Sequence, residues 1–556
     1  MLNYKRYRRV PVVNYPEREW PNKEIMKAPT WCSVDLRDGN QALIEPMVVE
    51  EKIEFFNLLL KLGFKEIEIG FPSASQIEYD FLRQLVDRKM IPDDVRVQVL
   101  TQCREHLIDR TFESIEGIKE AIVHIYNSTS TLQRRVVFGM DKDEIKQIAI
   151  EGTRMVKERA KKFPGKIILE YSPESFTGTE LDFAVEVCDA VVEEWGGTKE
   201  NPVIINLPAT VEMTTPNVYA DQIEWMSRHF KNREAIILSI HPHNDRGCGV
   251  AATELAMLAG ADRVEGTLFG NGERTGNVDI LNVAYNMFSQ GINPELNLEN
   301  INEIIEVCER CNKMPIDPRH PYGGKLVFTA FSGSHQDAIN KGVKAMQESK
   351  QDWWEVPYLP IDPMDIGREY EPIVRINSQS GKGGVAFVMD TYFGFKLPKG
   401  MHKEFADVIQ KIAERQGEVA PETIMEEFRE KYLEAKEPLH FRKCKIEDWS
   451  DNDDEFDTHV KIIYTDHGVE KLVEASGNGP IDATKRAMES ELGMEVKILD
   501  YSEHALREGS NAQAAAYIHM LDTKTNKAIH GVGVSSNITR ASIRAIFSAF
   551  NRIRSV

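Results

Sequence analysis

The chain has 556 residues, of which 42% are hydrophobic and 28% are charged, and its formal net charge at pH 7 is −20. This length exceeds one ordinary core and predicts a globular protein of about two to four domains. The negative charge argues against a nucleic-acid-binding protein, although it is compatible with a local basic pocket for an anionic substrate. No apolar run approaches the roughly 20 residues that cross a bilayer, and no apolar region follows the basic N-terminus. We therefore expect a cytoplasmic protein that does not act at a membrane.

The seven cysteines are scattered and odd in number, which is typical of a reduced intracellular protein. Cys308 and Cys311 form a C-x-x-C pair inside an amphipathic helical pattern. No second pair follows at zinc-finger spacing, so the pattern favours structural thiols over a zinc or redox site.

After an N-terminal arm, residues 1–29, strand-like and helix-like segments alternate as far as about residue 277. Eight such units in about 250 residues match a (β/α)₈ (TIM) barrel in number and length. An open doubly wound sheet is the alternative, but no G-x-G-x-x-G follows the first strand. The predicted strands are residues 30–36, 66–71, 95–100, 121–126, 166–171, 203–207, 235–240 and 263–269.

The seventh predicted strand ends in a polar segment that contains His241 and His243. Residues two apart on an extended chain point the same way, so both imidazoles can bind one divalent metal ion. For an isolated H-x-H motif, a pair of hydrogen-bonded loop histidines is the commoner interpretation. The other seven predicted strands also end in polar residues, and in a barrel all these ends meet at the face that carries the active site. This convergence favours a catalytic metal site.

Asp38 follows the first predicted strand, which neighbours the eighth in a closed barrel. We expect Asp38, His241 and His243 to bind the metal, with the Asn277 amide oxygen as a fourth ligand and positions left for substrate oxygens. Nitrogen and oxygen ligands without thiolate fit Mg²⁺, Mn²⁺ or Zn²⁺. Arg37 points away from the chelating side, so we expect it to polarise a substrate carbonyl. A salt bridge that orients Asp38 is the alternative for this arginine.

Three motifs together resemble a family of metal-dependent Claisen-condensing (β/α)₈ enzymes: residues 37–41 (RDGNQ), 241–245 (HPHND) and 272–277 (GERTGN). The family contains 2-isopropylmalate, homocitrate and citramalate synthases, with hydroxymethylglutaryl-CoA lyase as a more distant member. Asn40 stands where shorter members commonly have glutamate, which fits the longer branch of 2-isopropylmalate synthases. Segments across essentially the whole chain resemble that branch: YSPESFTGT at 171–179, NLPATVEMTTP at 206–216, HPYGG at 320–324, FSGSHQDAIN at 331–340, VPYLPID at 356–362 and NSQSGKGG at 377–384.

The resemblance implies that the acetyl-CoA methyl carbon adds to the keto group of 3-methyl-2-oxobutanoate, and that hydrolysis then releases CoA and 2-isopropylmalate. Mg²⁺ is the expected ion. Glu174 resembles the family's acid/base carboxylate, and Thr210 resembles the residue whose hydroxyl contacts the keto-acid carboxylate. His335 and Tyr358 resemble residues that deprotonate the acetyl group or place CoA. In the family these two reach the active site of a partner subunit, so a homodimer is implied. Taken alone, Glu174 would be a glutamate in a loop turn, Thr210 a capping threonine and His335 a surface residue of a helix.

Beyond the barrel, residues 30–320, we expect linker subdomains over 321–435 and a C-terminal α+β domain over 436–556. The linker pattern predicts helices at 325–346, 402–415 and 421–434, and a glycine-rich turn at 377–384 before a short strand at 385–389. An acidic loop is expected at 451–455. Further on, a strand, a glycine turn and a helix recur in residues 469–491 and 528–551, and with additional strands at 457–464, 496–501 and 514–521 they predict two βββα units.

Duplicated α/β units with a cleft between them suit a sensor of a small ligand. The resemblance implies leucine, the end product of the pathway, as feedback inhibitor, and Gly477, Asn478, Gly479 and Tyr501 resemble its binding positions. A purely structural dimerisation domain is the alternative.

Two other functions remain open. A homocitrate or citramalate synthase would keep the same metal ligands and use a different keto acid. A catalytically silent amino-acid sensor would keep the barrel as a scaffold and is expected to have lost ligands, whereas all the expected ones are present here.

Overall fold

The structure is a computed structural model that describes residue 6 and residues 10–330, 333–349, 353–370, 382–416, 419–434, 437–449, 457–506 and 513–554. The chain divides into two compact units, Met1–Phe328 with Ile361–Glu369, and Thr329–Pro360 with Tyr370–Val556. None of the described helices has both the length and the apolar composition that crossing a membrane requires.

The first unit contains a closed barrel of eight parallel strands in sequential order, and β1 pairs with β8 to complete it. The predicted (β/α)₈ barrel is therefore confirmed. The first and eighth strands are shorter than predicted, because the chain turns into helical loops after Ser33 and Gly266. The strands are β1 Thr30–Ser33, β2 Glu66–Gly70, β3 Arg96–Gln102, β4 Glu120–Ser128, β5 Lys166–Glu174, β6 Val203–Ala209, β7 Ile236–Pro242 and β8 Arg263–Gly266.

Helices connect the strands and cover the outside of the barrel. The first of them, Val49–Leu62 (α1), is followed by Gly63, whose φ of 92° is the left-handed conformation that terminates many helices. α5 starts with a capping box, in which Asp141 and Glu144 satisfy each other's backbone N–H groups. Cys308 and Cys311 are buried free thiols on α10, as the helical pattern predicted. The helices are α1 Val49–Leu62, α2 Gln76–Asp87, α3 Glu105–Ser114, α4 Thr131–Gln133, α5 Lys142–Ala160, α6 Leu181–Trp195, α7 Pro216–His229, α8 Gly249–Leu258, α9 Ile280–Ser289 and α10 Ile301–Asn312.

Alternate strand residues have opposite characters in this barrel. Ile67 and Val97, which neighbour polar residues on β2 and β3, are fully buried aliphatic side chains. The intervening positions carry buried polar and charged side chains that bond to one another across the strands. These positions are Glu66, Glu68, Gln98, His124, Glu170, Ser172, Asn206, Ser239, Arg263 and Glu265. The barrel interior is thus a polar network enclosed by an aliphatic layer.

The second unit begins with the linker helices α11 Gly333–Ser349, α12 Lys382–Phe393, α13 Lys399–Gln416 and α14 Pro421–Phe428. The strand predicted at residues 385–389 is wrong, because these residues lie within α12. Val385, Val388 and Met389 are buried at the i, i+3, i+4 spacing of a helix, and a short apolar run is ambiguous between helix and strand. Residues 377–381 of the predicted glycine-rich turn and the predicted acidic loop at 451–455 lie outside the described residues; residues 382–384 of that turn belong to α12.

The C-terminal part consists of two βββα units, as predicted. Each has a three-stranded antiparallel sheet, in the orders β11-β10-β9 and β12-β13-β14, followed by a helix. The strand β9 has no counterpart among the individual strands predicted, because the charged residues Arg442, Lys443 and Lys445 interrupt its apolar pattern. The elements are β9 Leu439–Trp449, β10 Asp457–Asp466, β11 Val469–Gly477, α15 Pro480–Leu492, β12 Val496–Ala505, β13 Ala514–Asp522, β14 Lys527–Ser535 and α16 Ile538–Arg554.

The linker helices share a core with the second of these sheets. Phe405 of α13 and Val388 of α12 belong to the same buried cluster as Tyr517 and Val532 of the sheet. Glu404 of α13 also pairs with His530 of β14 and with Arg552 of α16. A movement of this sheet would therefore change the packing of the linker helices.

Candidate active site

The three predicted ionisable ligands meet at the C-terminal face of the barrel. Asp38 lies in the helical turn Asp35–Gly39 that follows β1, rather than on the strand itself. His241 is on β7 and His243 directly follows that strand. The Asp38 Oδ2 atom is 3.4 Å from His241 Nε2 and 3.7 Å from His243 Nε2, and all three side chains are buried. One carboxylate and two imidazoles therefore face a common point.

Asn277 adds an amide oxygen to this group. Its Oδ1 is 2.9 Å from His241 Nε2, and its Nδ2 donates to the backbone carbonyl of Asn271 at 3.0 Å. That second hydrogen bond turns the amide oxygen, rather than the nitrogen, toward the histidine. A backbone bridge between His243 and Asn277 holds the two loops together. Four donor atoms thus converge as a divalent cation requires.

The electrostatics of this group fit a cation. Among the described residues, Asp38 Oδ2 is buried without a hydrogen-bond partner, an arrangement that costs free energy unless a ligand satisfies it. Although burial opposes ionisation, Arg37 and the two imidazoles hold the pKa of Asp38 well below its ordinary value. Burial lowers the pKa of His243 to about 4, so this imidazole is neutral at pH 7, as a metal ligand must be. Against the effect of burial, the neighbouring carboxylates of Asp38 and Glu265 raise the pKa of His241 to about 10, and metal binding would displace that proton.

His124, Glu170 and Glu265 form another buried group of metal-ligating types. Arg263 already supplies the positive charge there, since its guanidinium is 3.4 Å from Glu170 and 2.8 Å from Glu265. Burial and the neighbouring Glu265 raise the pKa of Glu170, which favours its neutral form. The charge of this cluster is therefore balanced by Arg263, although both Glu170 oxygens are buried without a hydrogen-bond partner among the described residues.

Arg37 makes the salt bridge to Asp38 that was considered for it, and it also faces the cavity. Its Nη1 donates to Asp38 Oδ1 at 2.8 Å, and its Nε donates to Glu68 Oε2 at 2.6 Å. In the described part of the chain no acceptor is bonded to its remaining nitrogen, Nη2, and the side chain lines the cavity above Asp38. The salt bridge therefore holds a guanidinium beside the place where a substrate oxygen would bind.

A cavity of about 380 Å³ opens above these ligands. Phe71, Leu100 and Pro208 give it an apolar wall, whereas histidine, serine, asparagine and charged side chains form its other walls. The lining residues are Arg37, Asp38, Gln41, Phe71, Leu100, His124, Tyr126, Ser172, Glu174, Asn206, Pro208, Thr210, His241, His243, Glu273 and Arg274. The cavity can hold a small molecule with a polar head and a short apolar tail.

Glu174 and Thr210 both line this cavity, at the ends of β5 and β6. The Thr210 Oγ1 atom accepts a hydrogen bond from the Ser175 backbone N–H at 2.9 Å. Its own proton is thereby directed away from Ser175 and can be donated to a ligand. Burial raises the pKa of the Glu174 carboxyl, and the Arg37 guanidinium opposes that rise. Glu174 is therefore suited to hold a proton at higher pH than an exposed glutamate.

The glycine-rich loop at residues 270–276 is closed on itself. The Gly276 N–H donates to Glu273 O at 2.8 Å, and the Asn277 N–H donates to Gly270 O at 3.1 Å. A Cβ atom at Gly276 would lie 1.9 Å from Gly270 O, so the glycine is required for this turn. These two N–H groups are used within the loop, where they present Asn277 to the metal site.

His335 and Tyr358 belong to the second compact unit and contact each other there. Their rings stack with centroids 4.1 Å apart, and both side chains are exposed. Tyr358 has a φ of 67°, which is uncommon for a residue other than glycine. The two residues thus form a local pair, in keeping with the shared role expected for them.

Two of the four predicted effector residues line a cavity, and the other two do not. Asn478 and Gly479 line a cavity of about 470 Å³ at the start of α15, together with Lys485. Gly477 has a packing role, because a Cβ atom there would lie 2.6 Å from the Ala483 backbone nitrogen. Tyr501 is on β12, where its hydroxyl is 3.0 Å from Ser542 Oγ, and it does not line this cavity.

Several residues around the site were not predicted from the sequence. Glu68, His124, Ser172, Asn206 and Glu265 form the floor of the cavity or support it. The sequence contains a pattern that could have indicated them, because these residues are polar at alternate positions of otherwise aliphatic strands. The sequence alone does not say which side of a strand faces the barrel interior.

Polar ligands at the C-terminal mouth of a closed (β/α)₈ barrel define the class of protein: a metal-dependent TIM-barrel enzyme. Family models agree along the chain. The HMGL-like model matches residues 28–308, the alpha-isopropylmalate synthase post-catalytic domain-like model matches 325–390, and the LeuA allosteric (dimerisation) domain model matches 418–554.

Individual relatives narrow this class. The 2-isopropylmalate synthase of Clostridium acetobutylicum is 57% identical over 99% of this chain and 99% of its own length. That of Rhizobium johnstonii is 55% identical over 99% of this chain and 98% of its own. Among solved structures, the HMG-CoA lyase of Bacillus subtilis matches 52% of this chain and 95% of its own with 20% identity and a TM-score of 0.42. The chain belongs to the 2-isopropylmalate synthase family, as its motifs indicated.

Proposed function

We propose that the chain condenses acetyl-CoA with 3-methyl-2-oxobutanoate and water, giving 2-isopropylmalate and CoA, the first committed step of leucine biosynthesis. The observation that carries this proposal is the convergence of Asp38, His241, His243 and Asn277 beneath a cavity that Arg37 lines, in a chain of this family. Cytoplasmic location and the division into arm, barrel, linker and regulatory domain at residues 30, 321 and 436 belong to the same proposal.

Asp38, His241, His243 and Asn277 would hold the divalent ion, for which we propose Mg²⁺, with Mn²⁺ or Zn²⁺ as alternatives. When bound, such an ion supplies Lewis-acid polarisation of a keto carbonyl. The protein's residues supply the remaining interactions. Arg37 is placed to stabilise the negative charge that develops on the keto oxygen, because its guanidinium is fixed by Glu68 and Asp38 before substrate arrives.

The two ends of the keto acid fit different walls of the cavity. The Thr210 hydroxyl can donate a hydrogen bond to the substrate carboxylate, because its oxygen already accepts a hydrogen bond from the Ser175 N–H. The branched tail of 3-methyl-2-oxobutanoate matches the apolar wall of Phe71, Leu100 and Pro208. Glu174, which lines the same cavity, would give a proton to the new hydroxyl group or activate the water that hydrolyses the thioester.

The base for the acetyl methyl group is assigned to His335, with Tyr358 stacked on it. Both are exposed on the second compact unit, and we propose that they act in the active site of a partner subunit in a homodimer. Leucine would bind to the C-terminal domain near Asn478 and Gly479 and inhibit the enzyme. The second βββα sheet shares a buried core with the linker helices α12, α13 and α14.

A panel of 2-keto acids tests the proposal. We expect the highest kcat/KM for CoA release with 3-methyl-2-oxobutanoate, at least about 10-fold above pyruvate, because its tail fills the apolar wall. A chelator should abolish the rate and added Mg²⁺ restore it, and leucine should lower it. A preference for pyruvate or 2-oxoglutarate would make the chain a citramalate or homocitrate synthase. No turnover with any of the acids, with leucine binding retained, would identify a silent sensor.

Replacement of Glu174 tests the acid/base assignment. Glu174→Gln is expected to lower kcat by about 10²- to 10⁴-fold, because an amide cannot exchange the proton, while KM for the keto acid changes little. Steady-state kinetics check this. An unchanged kcat would remove Glu174 from the mechanism.

The same variant has a predicted effect on stability. Because burial raises the pKa of Glu174, the folded protein binds this proton more tightly than the unfolded chain does. This stabilising contribution is complete below the unfolded-state pKa and is lost as the pH rises through the folded-state pKa. Glu174→Gln should therefore unfold at a higher temperature than wild type at alkaline pH, and the difference should shrink in acid.

Glu180→Gln is the matched control with the opposite sign. The hydrogen bond from Arg134 lowers the pKa of Glu180 to about 2. Its contribution is present above the unfolded-state pKa and is lost as the pH falls through the folded-state pKa. This variant should therefore be less stable than wild type at neutral pH and approach wild type in strong acid. Thermal unfolding of wild type, Glu174→Gln and Glu180→Gln across a range of pH shows whether the two substitutions change stability in opposite directions.

A further inference from the structure

Glu265 of β8 lies inside the barrel in direct contact with one of the proposed metal ligands. Its Oε2 is 2.7 Å from His241 Nδ1 and accepts from Asn206 Nδ2 at 3.0 Å. Its Oε1 accepts from Arg263 Nη1 at 2.8 Å and from Gln98 Nε2 at 3.0 Å. The side chain is fully buried and both oxygens have two donors each. Glu265 therefore has a defined position and orientation.

We propose that Glu265 is a positioning residue that fixes which nitrogen of His241 faces the metal. An ionised carboxylate only accepts hydrogen bonds, so the contact requires the proton on His241 Nδ1. Without a metal ion, Nε2 can donate to Asn277 Oδ1, which lies 2.9 Å away. When a metal ion displaces that proton, the Nε2 lone pair faces the ion on the side of Asp38 and Asn277. A carboxylate behind a ligating histidine also makes the imidazole a stronger electron donor. This inference rests on the proposed function of the site.

The two histidines differ in this respect. In the described part of the chain His243 Nδ1 is buried without a hydrogen-bond partner, whereas His241 has a carboxylate in contact with its Nδ1. Within the described residues, no hydrogen bond to Nδ1 orients the ring of His243. His241 is the ligand whose direction is set in advance, and Glu265 sets it.

Glu265 also connects His241 to Asp38 through a series of hydrogen bonds beneath the cavity. Asn206 donates to both Glu265 and Ser172, Ser172 donates to His124, and His124 donates to Glu68. Arg37 then donates to both Glu68 and Asp38. The successive distances are 3.1 Å for Asn206–Ser172, 2.7 Å for Ser172–His124, 3.2 Å for His124–Glu68, 2.6 Å for Arg37–Glu68 and 2.8 Å for Arg37–Asp38. His241 and Asp38 are therefore linked through one continuous series of hydrogen bonds.

The test measures metal affinity directly. Metal-stripped full-length protein is titrated with Mn²⁺ while electron paramagnetic resonance reports the free ion. Glu265→Gln should bind Mn²⁺ about 10- to 100-fold more weakly than wild type, because a neutral amide is a poorer acceptor for the His241 proton. An affinity equal to that of wild type would overturn the inference.

Glu66→Gln is the matched control. Glu66 is also a buried carboxylate that accepts from Arg263, with Nε at 2.5 Å, but it does not contact His241. Its replacement perturbs the same arginine and should leave the Mn²⁺ affinity unchanged. If both variants lost affinity equally, Glu265 would have only a structural role and the inference would be overturned.

Asp38→Ala separates this inference from the proposed function. If wild type and Asp38→Ala bound Mn²⁺ equally, the metal site itself would be wrong. If Asp38→Ala lost the metal and Glu265→Gln kept it, only the role of Glu265 would fail. Should Glu265→Gln not fold, ¹⁵N-histidine NMR of Zn²⁺-loaded wild type gives the answer, because His241 must carry its proton on Nδ1. A proton on Nε2 would overturn the inference.

Discussion

Asp38→Ala is expected to abolish condensation, with kcat/KM reduced by at least about 10³-fold, because the substituted protein lacks the only carboxylate among the four proposed ligands. His243→Ala should have a similar effect through the loss of one imidazole. Both variants should fold. Asp38→Ala removes one buried partner of Arg37, but Arg37 keeps Glu68 as its counter-charge, and His243 Nδ1 has no hydrogen-bond partner among the described residues. CoA release measures the activity, metal analysis measures the bound ion, and thermal unfolding shows whether each variant is folded.

Asp35→Asn is the control for this experiment. Asp35 is buried in the same helical turn as Asp38, and it bonds to Ser33 and to the Leu268 backbone instead of facing the metal site. Burial raises the pKa of Asp35 to about 7, so an uncharged amide is a mild substitution there. This variant should retain metal and turnover. Normal turnover of metal-depleted Asp38→Ala would contradict the metal-dependent mechanism.

Arg263→Met is expected to cause the largest loss of stability. The guanidinium is fully buried and donates to Glu66, Ser239, Glu265 and Gln98. Methionine has a similar length but leaves buried carboxylates without a counter-charge. The expected cost is about 3–5 kcal/mol, the range measured when one partner of a buried ion pair is removed. The midpoint of urea unfolding, followed by circular dichroism, measures this loss.

Arg154→Met provides the comparison for an arginine on the surface. Arg154 pairs with Glu194 at 3.0 Å but is about half exposed, at 52%. The high dielectric of water weakens such a pair, so its loss should leave the midpoint of urea unfolding almost unchanged. Arg263→Lys should fall between the two, because lysine keeps the charge but cannot donate to four separated acceptors. An unchanged midpoint for Arg263→Met would show that the barrel interior does not depend on this cation.

Much of the barrel and its metal site could be predicted because the relevant signals are local. Alternation of helix and strand patterns predicts the eight units, and the two-residue spacing of His241 and His243 predicts that their side chains point the same way. The end of a parallel strand in a barrel is always at the same face, so a polar strand end predicts a site residue without coordinates. Glu174 and Thr210 follow the fifth and sixth predicted strands in this way, and both line the cavity.

Local patterns were insufficient where the environment decides the conformation. The apolar run at residues 385–389 suits a strand or a helix, and it is helical because its buried positions face the other linker helices. The charged strand β9 forms because β10 provides a partner for its backbone hydrogen bonds. Neither partner is visible from the segment alone.

The order of residues along the chain thus predicts the barrel, its C-terminal face, the four proposed ligands and the repeated βββα units, since each depends on periodicity or on strand ends. Only the closed barrel brings Glu265, Asn206 and Glu68 from separate strands into one network behind those ligands. The physical reason is that a polar residue in a strand can face water, a helix or the interior. Which of these it meets depends on how the sheet curves and closes around all eight strands.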